Sequence, residues 1–83
     1  MEARIRLSKE KTTSGIRVMV ELTYVPVNGE VAQLAESLGY KKLAFDNYVA
    51  YATTPAELDA IRNPMIELMK KGLIVDGSNV RIG

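Results

Sequence analysis

Residues 40–52, YKKLAFDNYVAYA, decide the fold of this chain because their pattern fits two different structures. A strand would place four large apolar side chains on one face: Leu43, Phe45, Val49 and Tyr51. A helix would place four along one stripe: Phe45, Tyr48, Val49 and Ala52. The aromatic and β-branched content favours strand, with a tight turn at Asp46-Asn47. We predict strands here and keep the helix as the alternative.

Upstream of this stretch, the sequence predicts an antiparallel hairpin. Residues 3–8 alternate apolar and polar side chains, and residues 16–24 do so more regularly, as half-buried strands do. Residues 9–15 are polar and predict a loop. Pro26 has no N–H to donate, and it is expected to end the second strand.

Amphipathic helices are predicted on either side of residues 40–52. The first covers residues 30–38, with apolar side chains on one stripe: Val31, Leu34, Ala35 and Leu38. Asn28 is its predicted N-cap, and Gly39 is the left-handed residue that ends it.

The second helix begins at residues 54–57, TPAE, a capping box with proline at the first helical position. Its apolar face extends to Met69, and Gly72 ends it. A proline in a helix interior costs about 3 kcal/mol, so Asn63-Pro64 predicts a restart and two short helical pieces. Residues 73–75 and 80–82 then flank a four-residue loop and predict a closing hairpin.

Together these elements predict a single small α+β domain, residues 1–83. We expect a mostly antiparallel sheet of four or five strands with two helices on one face. From residue 16 onward the order is ferredoxin-like βαββαβ, and the first hairpin strand is an extra N-terminal strand. If residues 40–52 were helical, the alternative fold would be a winged helix.

The composition excludes several classes of function. The chain has no cysteine and no histidine, which removes the favoured zinc ligands and rules out Ser–His and Cys–His catalysis. No carboxylate spacing fits a hard-metal loop, so we expect no enzyme, catalytic residue, metal or cofactor. Apolar residues are 47% and charged residues 25%, typical of a soluble protein. With no apolar run of about 20 residues and no signal-peptide pattern, we expect a cytoplasmic protein without a membrane partner.

The favoured functional prediction is a small non-enzymatic interaction module. A chain of this size buries a modest core, and its sheet has strand edges that can pair with another chain. We therefore expect a protein partner, most simply a second copy in a homodimer. The net charge of +1 is too close to zero to indicate a polyanionic partner by itself.

A DNA-binding regulator is the alternative. Residues 31–50 fit a helix-turn-helix template in which Tyr40, Lys41 and Lys42 open the recognition helix. Residues 70–82, KKGLIVDGSNVRI, resemble the helix end and wing of winged-helix DNA-binding domains. Arg4 and Arg6 lie in a basic N-terminal hairpin that could contact phosphate as a β-ribbon.

A weaker alternative is a small-ligand sensor. Residues 25–32, VPVNGEVA, followed by residues 66–75, IELMKKGLIV, resemble ACT-type regulatory domains. That family binds small ligands at the loop between the first strand and the first helix, usually in a dimer. The resemblance implies that Asn28, Gly29 and Glu30 would form the ligand-binding loop.

Overall fold

The computed structural model describes residues 3–44 and 46–76, which form one mixed sheet and two helices. In chain order the elements are β1 (Ala3–Thr12), β2 (Gly15–Thr23), α1 (Glu30–Ser37), β3 (Lys41–Ala44), β4 (Asn47–Ala52), α2 (Pro55–Lys70) and β5 (Ile74–Asp76). The strand order across the sheet is β3-β4-β2-β1-β5. β5 runs parallel to β1, and the other three pairings are antiparallel. The predicted α+β class, with a five-stranded sheet and two helices, is confirmed, although the sheet is mixed.

Residues 41–44 and 47–52 form strands, so the helix-turn-helix interpretation of residues 31–50 is wrong. The predicted place of Phe45 on a strand face lies outside the described residues. β3 pairs with β4 through Lys41↔Val49 and Lys42↔Tyr48, and β4 in turn pairs with the central strand β2. Two-sided pairing satisfies the backbone of β4, which is rich in the aromatic and β-branched residues that strands favour. The winged-helix fold loses its recognition helix. Residues 77–82, which hold the rest of its wing and the second strand of the predicted closing hairpin, lie outside the described residues.

The first hairpin is longer than predicted. Residues 9–12 continue β1, so the loop shrinks to the two-residue turn at Thr13 and Ser14. Glu10 pairs with Arg17 directly across the strands, with 2.8 Å between Oε1 and Nε. Opposite charges at facing positions stabilise a sheet. The loop prediction for residues 9–15 considered only their polarity, and it therefore missed this cross-strand pair.

Both helices end as the glycines predict. Gly39 and Gly72 have φ angles of +91° and +81°. The amide of the residue that follows each glycine closes the helix end: Tyr40 N donates to Ala35 O at 3.0 Å, and Leu73 N donates to Leu68 O at 2.9 Å, which is a Schellman arrangement. The predicted start of α1 is wrong by one residue: Gly29 is the N-cap, without a side-chain cap bond. Asn28 instead takes a left-handed conformation, with φ +61°.

α2 is one continuous helix, so the predicted restart at Asn63-Pro64 is wrong. Pro64 cannot donate to the carbonyl of Ala60, but Ala60 is exposed and water can satisfy that oxygen. The start of α2 follows the capping-box prediction, with Glu57 N donating to Thr54 Oγ1 at 3.1 Å. The Glu57 carboxylate accepts from Thr53 N at 2.8 Å and from Thr53 Oγ1 at 2.9 Å, and these bonds, the backbone one first, lower the pKa of that carboxyl.

The core lies between the two helices and one face of the sheet. Its largest fully buried side chains come from the sheet and from α2: Leu22, Met65, Ile74 and Val20. Strand alternation sends Ala3 and Ile5 into this core and leaves Arg4 and Arg6 on the opposite, uncovered side, which we call the open face.

Candidate functional site

A polar pocket on the open face is one of two candidate binding regions. Its cavity is about 440 Å³, and it is lined by six residues from three neighbouring segments: Arg4, Arg6, Thr23, Tyr24, Asp46 and Asn47. The register explains why they meet, because Arg4 faces Thr23 and Arg6 faces Glu21 across β1 and β2. The β3–β4 turn is tied to the same corner by Val25 N, which donates to Asp46 O at 3.0 Å. We call this cavity the Arg4 pocket.

The two arginines of the Arg4 pocket differ in their partners. Arg6 donates to the Glu21 carboxylate at 2.9 Å, and its side chain is still largely exposed. Arg4 makes no ion pair within residues 3–44 and 46–76; its guanidinium lies 5.8 Å from the centroid of the Tyr24 ring. Arg4 therefore has unsatisfied donors facing an open cavity. Asp46 adds a carboxylate to the lining of the same cavity.

Tyr24 has an unusual backbone conformation for a bulky residue. Its φ angle is +58°, a left-handed conformation that costs an L-residue with a large side chain about 1–2 kcal/mol. Its side chain is nevertheless 50% exposed, so burial of the ring offsets little of this strain. Strain of this kind is often found at binding sites.

The structure separates the residues predicted for nucleic-acid contact. Arg4 and Arg6 lie together, and Lys41 lies on the same open face, in line with Val49, Glu21 and Arg6 across four strands. Lys42 points to the other face, with its Nζ 6.0 Å from the ring of Tyr48. Tyr40 is in the core, where its hydroxyl donates to Ile61 O at 2.6 Å. Tyr40, Lys41 and Lys42 therefore do not form a common surface, because the segment is not a helix.

The predicted ligand loop forms the tight entry into α1. Asn28 and Glu30 are exposed, and Gly29 is the N-cap. Glu30 Oε2 lies 3.3 Å from Lys71 Nζ at the far end of α2. The Glu30 carboxylate thus helps to tie the ends of the two helices together.

The second candidate region is an apolar surface where the β1–β2 hairpin extends past the start of α2. Two adjoining clefts, of about 260 and 220 Å³, flank Leu58 and share it and Val18 as lining residues. The larger cleft is lined also by Ile16, Ala52 and Pro55, and the smaller by Leu7 and Lys9. Ile16, at the end of this surface, is 58% exposed. We call these clefts and Ile16 the Leu58 surface.

Sequence reasoning missed Tyr24, Asp46 and Leu58 as candidate contact residues. Residues 16–24 were predicted as one regular strand that ends at Tyr24, and the left-handed conformation of Tyr24 leaves no mark in the local pattern. Asp46 lies in a turn as predicted, but Asn47 is already the first residue of β4 and pairs with Ala44. The proximity of Asp46 to Arg4 depends on sheet pairing that the sequence does not specify.

No known protein family, curated protein or solved structure matches this chain. Among the described residues, neither helix is long and apolar enough to span a membrane. The same residues bring together no group of three carboxylates that would hold a metal ion.

Proposed function

We propose that this chain is a non-enzymatic protein-interaction module that associates with a second copy of itself through the Leu58 surface. The observation that carries the proposal is the exposure of Ile16 beside two apolar clefts on the helix-bearing side of the sheet. Apolar surface of this kind is stabilised when another protein removes it from water. The exposed side chain of Ile16 in one copy is a suitable occupant for a cleft of the other.

The charges around the Leu58 surface support a second copy as the partner. Lys9 and Lys11 stand on β1 opposite Val18 and Ile16, whereas Glu57 and Asp59 stand on the first turns of α2. Lys9, Lys11 and Asp59 make no ion pair within the described part of the chain. In a two-fold dimer every contact occurs twice, so the lysines of each hairpin would meet the acidic helix start of the other copy.

The test is sedimentation velocity over a range of concentrations, comparing the wild type with Ile16→Glu. We expect a concentration-dependent dimer whose dissociation constant rises more than about tenfold in the variant, as for a central apolar contact. Leu43→Glu is the matched control because Leu43 is also 58% exposed but lies on the edge strand β3. A wild type that stays monomeric at millimolar concentration would overturn self-association. Dissociation by Leu43→Glu alone would move the interface to the sheet edge.

A charge exchange tests the orientation of the proposed dimer. Lys11→Glu should weaken association, and adding Asp59→Lys to the same chain should restore it, since the two charges then attract again across the two-fold axis. Failure of the double variant to recover would rule out the pairing of hairpin with helix start.

The strand order bears on the ferredoxin-like prediction as well. We infer a ferredoxin-like unit formed by β2, α1, β3, β4, α2 and β5, into which β1 is inserted between β2 and β5. Two features support this inference: the order of elements along the chain and the opposite directions of β2 and β5, each of which pairs with β1.

A further inference from the structure

We propose that the Arg4 pocket binds a nucleotide, with the phosphate held by Arg4 and Arg6 and the base stacked on Tyr24. The pocket lies on the open face, on the opposite side of the sheet from the Leu58 surface. This inference is therefore independent of self-association, and either proposal can fail without the other. The volume of the Arg4 pocket, about 440 Å³, falls within the range usual for small-molecule sites.

The arginines supply the phosphate site. They are two residues apart on β1, so both side chains project from the same face, about 7 Å apart along the strand. Arginine presents several N–H donors in a planar fork that matches phosphate oxygens. Arg6 uses one terminal nitrogen to donate to Glu21 at 2.9 Å, which fixes its position and leaves its other donors for a ligand. Arg4 has no carboxylate partner among the described residues and is free to close on the phosphate.

Tyr24 supplies the stacking platform. Its half-exposed ring borders the cavity, and the Arg4 guanidinium stands 5.8 Å from the ring centroid. The other exposed arginine–tyrosine pair on this face is much closer, because Arg17 lies 3.9 Å from the Tyr51 ring and already covers it. A planar base can reach the ring of Tyr24, whereas that of Tyr51 is occupied by the protein itself. Aromatic stacking of this kind is tolerant of base identity.

Asp46 distinguishes a nucleotide from a simple anion. A carboxylate in the pocket wall repels inorganic phosphate, but it accepts hydrogen bonds from the N–H groups of a base. Guanine offers two such donors side by side, its ring N–H and its amino group, so it can engage both carboxylate oxygens. Guanine nucleotides are therefore the expected preference among the common bases.

The test is isothermal titration calorimetry of the full chain with guanosine monophosphate, adenosine monophosphate and inorganic phosphate at low salt. We expect saturable binding of guanosine monophosphate, weaker binding of the adenine nucleotide and weakest binding of phosphate. Tyr24→Asn should lower affinity at least about fivefold by removing the stack, while Tyr24→Phe should retain it. Asparagine adopts positive φ readily, so the fold of that variant is not put at risk.

Charge removal inside and outside the pocket provides the matched control. Arg4→Gln should lower affinity for guanosine monophosphate at least about tenfold, as expected when a charge-assisted phosphate contact is lost. Arg17→Gln removes the same charge from the same face but touches Tyr51 and Glu10 instead, and it should leave affinity unchanged. Equal losses of affinity in the two variants would overturn the proposed site, because they would show a non-specific attraction of the nucleotide to positive charge.

A parallel titration with short single-stranded guanine-containing RNA distinguishes two possible ligands, a free nucleotide and a nucleotide within an RNA strand. Tighter binding of the strand, with the same dependence on Tyr24 and Arg4, would identify a nucleotide within a chain as the ligand. Equal binding would identify the free nucleotide. Absence of saturable binding to both, or phosphate binding as tight as guanosine monophosphate, would overturn the proposal.

Discussion

The role of Tyr40 in the structure differs from the role that one interpretation of the sequence gave it. In the alternative DNA-binding interpretation of the sequence it opened the recognition helix, beside two lysines. In the structure it is only 6% exposed, and its hydroxyl donates to Ile61 O at 2.6 Å, 21 residues away. Burial raises the pKa of the Tyr40 hydroxyl, because the charged tyrosinate loses its hydration. The neutral, hydrogen-bonded form is the one compatible with the fold.

Tyr40→Phe is predicted to change both stability and its dependence on pH. Loss of one buried hydrogen bond should lower the free energy of unfolding by about 1 kcal/mol at pH 7. In the wild type the folded-state pKa of Tyr40 lies above the unfolded value of about 10. Its contribution is therefore complete below about pH 10 and is lost as the pH rises above it.

Urea unfolding between pH 7 and pH 11 measures this effect, because the two proteins differ only at this hydroxyl. The difference between wild type and Tyr40→Phe should shrink above pH 10. Two curves that stay parallel throughout would contradict the burial of an un-ionised Tyr40.

At the level of elements, start and stop signals predicted the helix boundaries well, apart from the N-cap of α1, whereas the effect of the interior proline was predicted wrongly. Thr54 and Gly72 act locally, so the sequence suffices for them. Pro64 was expected to divide α2, yet the helix continues through it. Met65, the next residue, is completely buried in the core, and this packing stabilises the continuous helix. Ile61, the acceptor for Tyr40, lies three residues before Pro64, in the turn where a proline disturbs the hydrogen bonds of the helix. The Tyr40 hydroxyl thus supplies a donor where the helix is weakest.

Pro64→Ala is predicted to stabilise the protein by about 1–3 kcal/mol, because alanine restores an amide donor and removes the clash of the ring. Pro55→Ala is the matched control, since Pro55 occupies the first helical turn, where a missing N–H costs nothing. It should change stability little. Chemical denaturation of both variants measures the difference, and equal effects would show that the interior proline is not a point of strain.

A double-mutant cycle tests the connection between Tyr40 and Pro64. If the hydroxyl compensates for the proline, Tyr40→Phe should cost less in the Pro64→Ala background than in the wild type. Strict additivity would mean that the hydrogen bond to Ile61 is independent of the proline.

At the scale of the whole molecule, the sequence predicted which elements form but not how the strands pair within the sheet. Alternation and capping gave the two hairpin strands, both helices and the strands within residues 40–52. The insertion of β1 between β2 and β5 depends on the parallel pairing of Ala3–Ile5 with Ile74–Asp76, which nothing in either segment specifies. The Arg4 pocket has the same origin: Arg4, Tyr24 and Asp46 come together only because the sheet places three separate segments at one corner.

The strand order predicts a gradient of amide hydrogen exchange across the sheet. β2 lies at the centre and is paired on both sides over Val18–Leu22, so its amides should exchange only through global unfolding and be the slowest. β3 is an exposed edge with a single neighbour, and its amides should exchange faster than those of the three interior strands. Slow exchange of β3 in dilute protein would contradict its position at the edge.

The same measurement repeated at high protein concentration separates the two ways in which this molecule could pair with itself. Association through the Leu58 surface should slow exchange around Ile16, Val18 and the first turns of α2, and leave β3 unchanged. Edge-to-edge pairing would instead protect Lys41–Ala44, because each new backbone hydrogen bond forms there. The lysines of β3 argue against that outcome, since Lys41 and Lys42 place like charges along the edge that two copies would have to bring together.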